Sequence, residues 1–445
     1  MTKKRTSKFI AMLVALVMAA SMLVTPVMAN PSVDWAPDSF FITKILHMPA
    51  GTATPASSFT FEFDLVYVNG LAVAGVFPNL HGTAPSVADH VVAFPGDQLP
   101  VPGHGAGVRL DGTIFARAHT AIVLAAGDFP HGGTFAFDIT ETPDTNPLLD
   151  DCDYIMLTYS QAVYRMYVIV VYCEDCEDET CTILNCSGLE IAFVTFFRLY
   201  DDEGNEENPP VKVNAGGGGD EGGLAFTNIF VQTYDPGENG GYDPVGNSAM
   251  RVNKFVNTAG NRSRPHDFSI TVTLPQLLID NAEAGNGQVS LGPFTGYINY
   301  GTPEQRTVAI TAGSAATFQL AHGETLYIAG VPIGTTYALT ETGVLGYEQY
   351  ATIVQGGSGT GVTAVVTPSP DTATTPMTVV DGLISNDTVR DNAVNVRNLY
   401  DRDPPMGVFL NNLPFIGLVV LSVGGLAGVA ALKIRKSKND EESYQ

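Results

Sequence analysis

Apolar and polar residues alternate in many short runs along the middle of the chain. Clear examples lie at 59–68 (FTFEFDLVYV), 133–140, 164–172 and 267–274. Alternation with a period of two predicts strands with one buried face, and clusters of Gly, Pro, Asn and Asp end these runs at strand lengths. Only the segment from Pro275 to Glu283 favours a short helix. The pattern therefore predicts an all-β protein built from sandwiches or barrels.

Two weakly structured stretches divide this β-rich material. Residues 201–223 are acidic and Gly-rich, which predicts a solvated insertion between strands. Residues 233–250 are rich in Pro, Gly and Asn, which favours an interdomain linker. The predicted units are two tandem β domains at 30–235 and 250–402, a linker at 236–249 between them, and a stalk at 403–412.

The two ends of the chain predict export and anchoring. Four basic residues among the first eight precede an apolar run and a small-residue exit, so residues 1–29 are expected to be a signal peptide cleaved after Ala29. Residues 413–432 carry no charge and are long enough to form a transmembrane helix. The basic segment 433–445 follows at once, which places it in the cytoplasm.

The start of this apolar segment resembles a sortase sorting signal of the LPxTG type. The motif residues are Leu413, Pro414, Phe415, Ile416 and Gly417. Ile416 stands where the motif has Thr, so both wall attachment by a tolerant sortase and simple membrane anchoring remain open. Either outcome places the protein outside the cell, on the wall or plasma membrane of a Gram-positive bacterium.

Charge and motif content exclude several classes of function. The chain has 46 acidic residues against 22 basic ones, with a formal net charge of −24. Such a surface argues against binding of nucleic acid or of anionic membranes. The sequence has no Ser/His/Asp order, phosphate-binding Gly loop or dinucleotide fingerprint. We therefore expect neither a turnover enzyme nor a bound cofactor.

All five cysteines fall in the first half of the chain: Cys152, Cys173, Cys176, Cys181 and Cys186. The last four lie between two strand-like runs, which predicts a hairpin tip. Their spacing would suit a metal knuckle, but the segment has no His and an exported chain favours disulfides. We expect disulfides of undetermined pairing and no metal, with a metal site as the alternative.

Both halves repeat one order of polar residues. Each half has a Lys in its first strand, a Glu at the end of a middle strand and an Asn in its last strand. These residues are Lys44, Glu141 and Asn228 in the first half, and Lys254, Glu341 and Asn395 in the second. Only three lysines lie between residues 30 and 412, and two of them occupy this first-strand position. Solvated lysines would be scattered.

This order resembles that of pilin isopeptide-linkage domains, the Ig-like modules of sortase-assembled pili and adhesins. The first half is similar to streptococcal backbone-pilin domains in Lys44, the FTFEF strand, YRMYVIVVY and the F-x-N of Phe226–Asn228. The second half resembles a CnaB-like module in NKFVNTAGNRSRPHDFSITVTL, IAGVPIGTTYALTE and N-x-R-N. Ala393 stands where the family usually has an aromatic residue, which leaves Asn398 as an alternative to Asn395.

The resemblance implies that each domain forms a Lys–Asn isopeptide bond by itself, with Glu141 and Glu341 as the catalytic acids. A Lys amine has a reference pKa of about 10.4 and cannot attack while it is protonated. Burial disfavours its charge and raises the pKa of a neighbouring carboxyl group. A protonated Glu can then polarise the Asn amide and shuttle the proton as ammonia leaves. The alternative is an unreacted salt bridge.

The resemblance also implies a structural role as a pilin-like shaft or stalk subunit. Lys212, expected on an exposed loop flanked by prolines, could accept the cleaved sorting motif of another subunit, or could be an ordinary solvated lysine. The expected partners are a sortase and either other pilin subunits or peptidoglycan. The alternative is an adhesin that does not polymerise, with a groove in residues 70–130 for a host or glycan ligand.

Overall fold

The structure is a computed structural model, and several parts of the predicted organisation fall outside the residues that it describes. The predicted signal peptide, stalk, sorting motif, transmembrane segment and tail all do, as do the five cysteines and residues 236–248 of the linker. Within the described ranges no helix has the length and apolar character needed to cross a membrane. Described residues are 40–73, 87–96, 106–108, 113–149, 154–172, 188–216, 223–233, 249–257, 261–282, 289–344, 346–354, 362–367, 376–385 and 392–400.

The described chain is built almost wholly of strands, which confirms the all-β prediction. Twelve strands lie in the described ranges before residue 233. They are β1 (Phe40–Met48), β2 (Ala56–Val68), β3 (Leu71–Ala72), β4 (His90–Pro95), β5 (Ala106–Val108), β6 (Ile114–Ile122), β7 (Gly133–Asn146), β8 (Ile155–Thr158), β9 (Val163–Tyr172), β10 (Leu189–Tyr200), β11 (Glu206–Val213) and β12 (Leu224–Gln232).

These twelve strands form two sheets that pack face to face. One sheet has the order β5-β6-β1-β12-β8, and the other has the order β11-β10-β9-β7-β2-β3 with β4 paired to β2. Apolar side chains of both sheets share one core, in which the rings of Phe61 and Phe226 lie 4.8 Å apart. The first and last strands of this domain, β1 and β12, are parallel neighbours.

Among the residues that the structure describes, eleven strands and one short helix follow residue 249. They are β13 (Met250–Val256), β14 (His266–Thr273), α1 (Gln276–Asn281), β15 (Phe294–Ile298), β16 (Arg306–Ile310), β17 (Ala316–Leu320), β18 (Thr325–Ala329), β19 (Thr336–Glu341), β20 (Tyr347–Val354), β21 (Val362–Thr367), β22 (Met377–Leu383) and β23 (Ala393–Tyr400). Helix α1 lies within the segment for which the sequence favours a helix.

The second domain repeats the two-sheet plan with its own core. Its larger sheet has the order β16-β15-β18-β13-β23-β20-β21, and its smaller sheet has the order β17-β14-β19-β22. Apolar residues of both sheets form one buried cluster. Strands β13 and β23, the first and last of this domain, are again parallel neighbours. The two domains thus bring their first and last strands together in the same way.

The prediction of a solvated insertion at 201–223 is wrong for part of that stretch. Residues 206–213 form β11, an edge strand that pairs antiparallel with β10. Six of its eight residues are exposed. An edge strand needs backbone partners on one side only, so an acidic, proline-containing sequence can still pair there.

The two domains contact each other directly. The backbone N–H of Ile333 donates to the carbonyl of Gln232 at 2.8 Å, next to a bridge between Thr233 and Pro332. Gly334 has a φ of +85°, and a Cβ there would lie 2.3 Å from Cβ of Pro49. A small apolar cluster joins residues of β8 and β12 to α1 and its surroundings: Met156, Val231, Leu277, Leu278 and Val289. The junction is therefore packed as well as hydrogen-bonded.

Candidate functional site

Lys44 lies in the middle of β1 with its side chain inside the first sandwich. Alternate residues of β1 are buried, and Lys44 falls on the buried face with a relative exposure of 0%. Its Nζ donates to Oε2 of Glu141 at 2.8 Å and lies 5.0 Å from the ring centre of Phe59. Glu141 comes from β7 in the opposite sheet, and it lies inside that strand rather than at its end. The pair therefore spans the space between the two sheets.

Asn228 completes this first cluster. It lies on β12 two residues beyond Phe226, the residue paired with Lys44, and its exposure is 0%. Its Nδ2 donates to Oε1 of Glu141 at 2.8 Å, so each carboxyl oxygen of Glu141 holds one nitrogen. Its Oδ1 accepts a hydrogen bond of 2.7 Å from the backbone N–H of Ser160. Hydrogen bonds thus hold both the nitrogen and the oxygen of the carboxamide in the cluster that contains the Lys44 amine.

A loop contact holds Ser160 in place. The Ser160 hydroxyl donates to Oδ1 of Asp202, and the same oxygen accepts from the backbone N–H of Thr227 at 2.8 Å. Asp202 thereby connects the loop before β9 to the strand that carries Asn228. The N–H of Ser160 points at the amide oxygen on which negative charge would develop during attack by an amine. It has the position of an oxyanion-hole donor.

Burial shifts the ionisation of both charged groups of the first cluster toward their neutral forms. It lowers the pKa of Lys44 to about 8, against the attraction of Glu141. It also raises the pKa of Glu141, against the attraction of Lys44. A proton can therefore pass from the amine to the carboxylate at modest cost. The result would be a nucleophilic amine and a carboxylic acid in contact with one carboxamide.

The second domain contains a corresponding cluster. Lys254 is 3% exposed on β13, and its Nζ donates to Oε1 of Glu341 at 2.6 Å. Glu341 comes from β19 in the opposite sheet. Nδ2 of Asn398 donates to the same carboxyl oxygen at 2.7 Å. The lysine Nζ lies 5.4 Å from the ring centre of Phe268, much as Lys44 lies beside a phenylalanine.

Asn395, the first choice from the sequence, is not part of this cluster, and Asn398 takes its place. Asn395 is exposed on β23 and accepts a hydrogen bond of 2.8 Å from Asn253. Lys254 pairs with Val396, so Asn398 lies two residues further on and Asn395 one residue before. Successive residues of a strand point to opposite faces. Asn398, two residues from Val396, therefore points into the core as Val396 does, whereas Asn395, one residue from Val396, points to the opposite face.

The second cluster differs from the first in its hydrogen bonding. His266, at the start of β14, is 1% exposed. Its Nδ1 lies 3.0 Å from Nδ2 of Asn398 and 3.1 Å from Oε1 of Glu341. Three nitrogens thus converge on one carboxyl oxygen. Within the described residues, no protein group hydrogen-bonds Oε2 of Glu341, Oδ1 of Asn398 or Nε2 of His266.

These contacts change the ionisation of the second carboxyl group. Burial lowers the pKa of Lys254 to about 8, as in the first domain. Burial alone would raise the pKa of Glu341. Hydrogen bonds with His266, Lys254 and Asn398, together with the charge of Lys254, outweigh burial and hold that pKa below its usual value. Glu341 therefore stays ionised more readily than Glu141 does.

The remaining predicted site residues lie elsewhere. Lys212 is exposed on strand β11 and paired with Phe197, so the prediction of a loop position is wrong. The sorting motif and the cysteines lie outside the described residues. In the part of the chain that the structure covers, no group of His, Cys, Asp or Glu residues could hold a metal ion. The described parts of 70–130 include β3, β4, β5, β6 and a short 3-10 helix at Ala126–Asp128.

Three residues of the two clusters carried no signal in the sequence. Ser160 acts through its backbone N–H, which any residue but proline would supply. Asp202 lies in a stretch whose composition indicates solvated chain, and His266 is one of eight dispersed histidines. His266 could be placed beside Glu341 only after the register of β14 with β19 was known.

Comparisons with known proteins give the following matches. A family model described as a domain of unknown function (DUF7601) matches residues 248–376. The search of curated proteins finds no match. Among solved structures, the chain is similar to the major pilin from Streptococcus pyogenes, with 13% identity, 81% of this chain and 97% of that chain covered, and a TM-score of 0.28.

Two further solved structures are also pilus proteins. The major pilin protein T3.2 from a Streptococcus pyogenes serotype shares 15% identity, with 82% of this chain and 98% of that chain covered and a TM-score of 0.27. The pilus-presented adhesin Spy0125 (Cpa) shares 16% identity, with 49% of this chain and 39% of that chain covered and a TM-score of 0.23.

Proposed function

We propose that this chain is a structural cell-surface protein, a pilin-like shaft or stalk subunit whose two sandwiches are each closed by an isopeptide bond. The bonds join Lys44 to Asn228 and Lys254 to Asn398. One observation carries the proposal. Each domain buries a lysine against a carboxyl group and a carboxamide, with the asparagine two residues beyond the partner of the lysine on a parallel strand.

Energetics favour a reactive role for these lysines over an ion-pair role. Taking two charges out of water costs several kcal/mol per ion, and an ion pair in a protein interior recovers this only partly. Lysine is almost never fully buried unless it is paired, and the two buried lysines of the three between residues 30 and 412 each contact a buried glutamate. Conversion of the amine into an amide removes the charge and so removes this cost.

The first cluster supports a complete reaction path. Lys44 passes its proton to Glu141, and the free amine attacks Cγ of Asn228. The Ser160 N–H stabilises the oxyanion at Oδ1. Glu141, which already contacts Nδ2, then protonates the departing nitrogen. Glu141 then takes the second proton from the new amide nitrogen, so the products are an amide between the two side chains, a protonated Glu141 and one ammonia. Each site reacts once, so the chain is not an enzyme that turns over.

The same proposal assigns roles to the remaining sequence features. The C-terminal segment tethers the protein to the wall through a sortase, or to the membrane directly. Lys212 is exposed on an edge strand, so another subunit can approach its amine. Lys212→Arg keeps the charge but removes the nucleophile for a sorting motif. Wild-type protein with a sortase should give a ladder of polymers, and Lys212→Arg should remain monomeric.

Intact mass of the full chain tests the central claim. Each bond removes one ammonia, about 17 Da, so both together predict a deficit of about 34 Da after reduction of disulfides. Glu141→Gln and Glu341→Gln should each recover about 17 Da, after allowance for the substitution. Peptide mapping should identify one linked pair per domain. A wild-type protein with its full unmodified mass would overturn the proposal.

A further inference from the structure

His266 introduces a third proton-carrying side chain at the second site. Its imidazole is buried, and its Nδ1 lies 3.0 Å from Nδ2 of Asn398, the nitrogen that would leave as ammonia. The same Nδ1 lies 3.1 Å from Oε1 of Glu341. The ring of Tyr347 meets the imidazole edge to face at 5.5 Å. The imidazole is therefore held between the acid and the leaving group.

Counted along the strand, the residue of the first domain that corresponds to His266 is a phenylalanine, although a register shift separates it from the residue paired with the glutamate. His266 stands two residues before Phe268, which pairs with Glu341. In the first domain, Phe59 stands two residues before Phe61, which pairs with the catalytic glutamate of that site. The two sites thus share a lysine, a glutamate and an asparagine, and the histidine is specific to the second.

The second site also needs a proton donor more than the first does. Glu141 uses separate oxygens for the amine and the amide, and burial raises its pKa. Glu341 gathers three nitrogens on one oxygen, and these contacts hold its pKa low. A carboxyl group whose pKa is held low is a weak base, so only a small fraction of it is protonated at any time. It is therefore seldom present as the acid that a departing nitrogen needs.

We propose that His266 is a catalytic residue of the second site, where its Nδ1 protonates Nδ2 of Asn398 as that nitrogen departs. The inference rests on the isopeptide bond proposed above. Histidine suits the task because a ring nitrogen can either accept or donate a proton. With Nδ1 unprotonated, it accepts a hydrogen bond from Nδ2. With Nδ1 protonated, it can donate to the same nitrogen once that nitrogen has become a tetrahedral amine.

The proton path balances. Lys254 gives one proton to Oε1 of Glu341, which passes it to Nδ1 of His266. The amine adds to Cγ of Asn398, forming the new C–N bond and an oxyanion. His266 protonates Nδ2, the Cγ–Nδ2 bond breaks and ammonia leaves. Glu341 takes the second proton from the new amide nitrogen and gives it to ammonia. One ammonium ion is released, and no oxidant is required.

Two substitutions in the full chain separate proton transfer from packing. His266→Asn keeps a short hydrogen-bonding amide near the place of Nδ1 but cannot carry a proton. His266→Phe copies the residue of the first domain. In both variants, the bond between Lys44 and Asn228 serves as an internal control. Bond formation is followed by intact mass and peptide mapping in the folded fraction, from minutes after synthesis to several days.

We expect the wild type to carry both bonds in the earliest samples. Both variants should show the first bond at once and the second at least about 100-fold more slowly, since a positioned general acid contributes about 10²–10⁴-fold. If both variants form the second bond as fast as the wild type, the role of His266 is overturned and the proposed function stands. If the wild type carries neither bond, both proposals are overturned.

Discussion

Loss of the first bond should cost the first domain about 5 kcal/mol. A bond from residue 44 to residue 228 closes a loop of about 184 residues, and the chain-entropy relation for a covalent cross-link gives about 5 kcal/mol at 25 °C. The variant of choice is Lys44→Met with Glu141→Gln, because it removes the nucleophile and the acid together. Neither substitution then leaves an unpaired charge in the core, which would add its own cost.

The assay is scanning calorimetry of the full chain, with the second domain as internal reference. For a domain of this size, 1 kcal/mol corresponds to about 2–4 °C in Tm, so we expect a fall of roughly 10–20 °C in the first-domain transition. The matching variant of the second domain is Lys254→Met with Glu341→Gln. The bond that it removes closes a loop of about 144 residues, so the second domain should lose nearly as much stability. The reasoning would be refuted if the mass of the wild type shows that both ammonias have been lost and the Tm of the variant nevertheless falls by less than about 3 °C.

Three further predictions concern individual side chains. Asn398→Ala should abolish the second bond and Asn395→Ala should leave it intact, as peptide mapping would show, and the reverse result would contradict the strand register. Asp202→Ala should slow formation of the first bond by about 10-fold or more, part of the roughly 10²–10³-fold that one oxyanion donor contributes, without slowing the second in the same mass time course. In Asn228→Ala, Lys44 remains an amine whose pKa burial lowers to about 8, against about 10.4 unfolded. The unfolded chain then binds more protons, so urea titrations should show the free energy of unfolding rising by about 2 kcal/mol from pH 8 to pH 10, and a flat profile relative to the double variant with Lys44→Met would contradict this.

The strands and the first cluster could be predicted because their signals are local. Alternation along β1 and β2 identifies the buried face, and Lys44 interrupts that face with a charge that needs a partner. The segments that carry Glu141 and Asn228 show the same alternation. Burial of a lysine in such a pattern restricts its partners to polar residues on the inner faces of other strands. The structure brings these three residues together.

The choice between Asn395 and Asn398 depends on which face of β23 is buried, and the alternation of that strand places Asn398 with Val394 and Val396 and Asn395 on the opposite face. Lys212 is harder to place, because β11 is held by backbone pairing with β10 and its side chains are largely exposed. Such a strand has no apolar alternation to reveal it. The acidic, proline-containing composition of this segment indicates a loop, and the strand becomes evident only from its backbone pairing with β10.

Parallel pairing of β1 with β12 determines how the first domain would transmit a pull. The chain enters at the start of β1 and leaves at the end of β12, so tension between the termini shears one strand along the other. With the proposed bond in place, force passes from Lys44 straight to Asn228 and bypasses everything between them. The roughly 180 residues between Lys44 and Asn228 could otherwise extend to about 600 Å, and the bond would keep them from unfolding under tension. In the second domain the chain between Lys254 and Asn398 could extend to about 500 Å. With both bonds formed, a filament of such subunits would extend very little under tension.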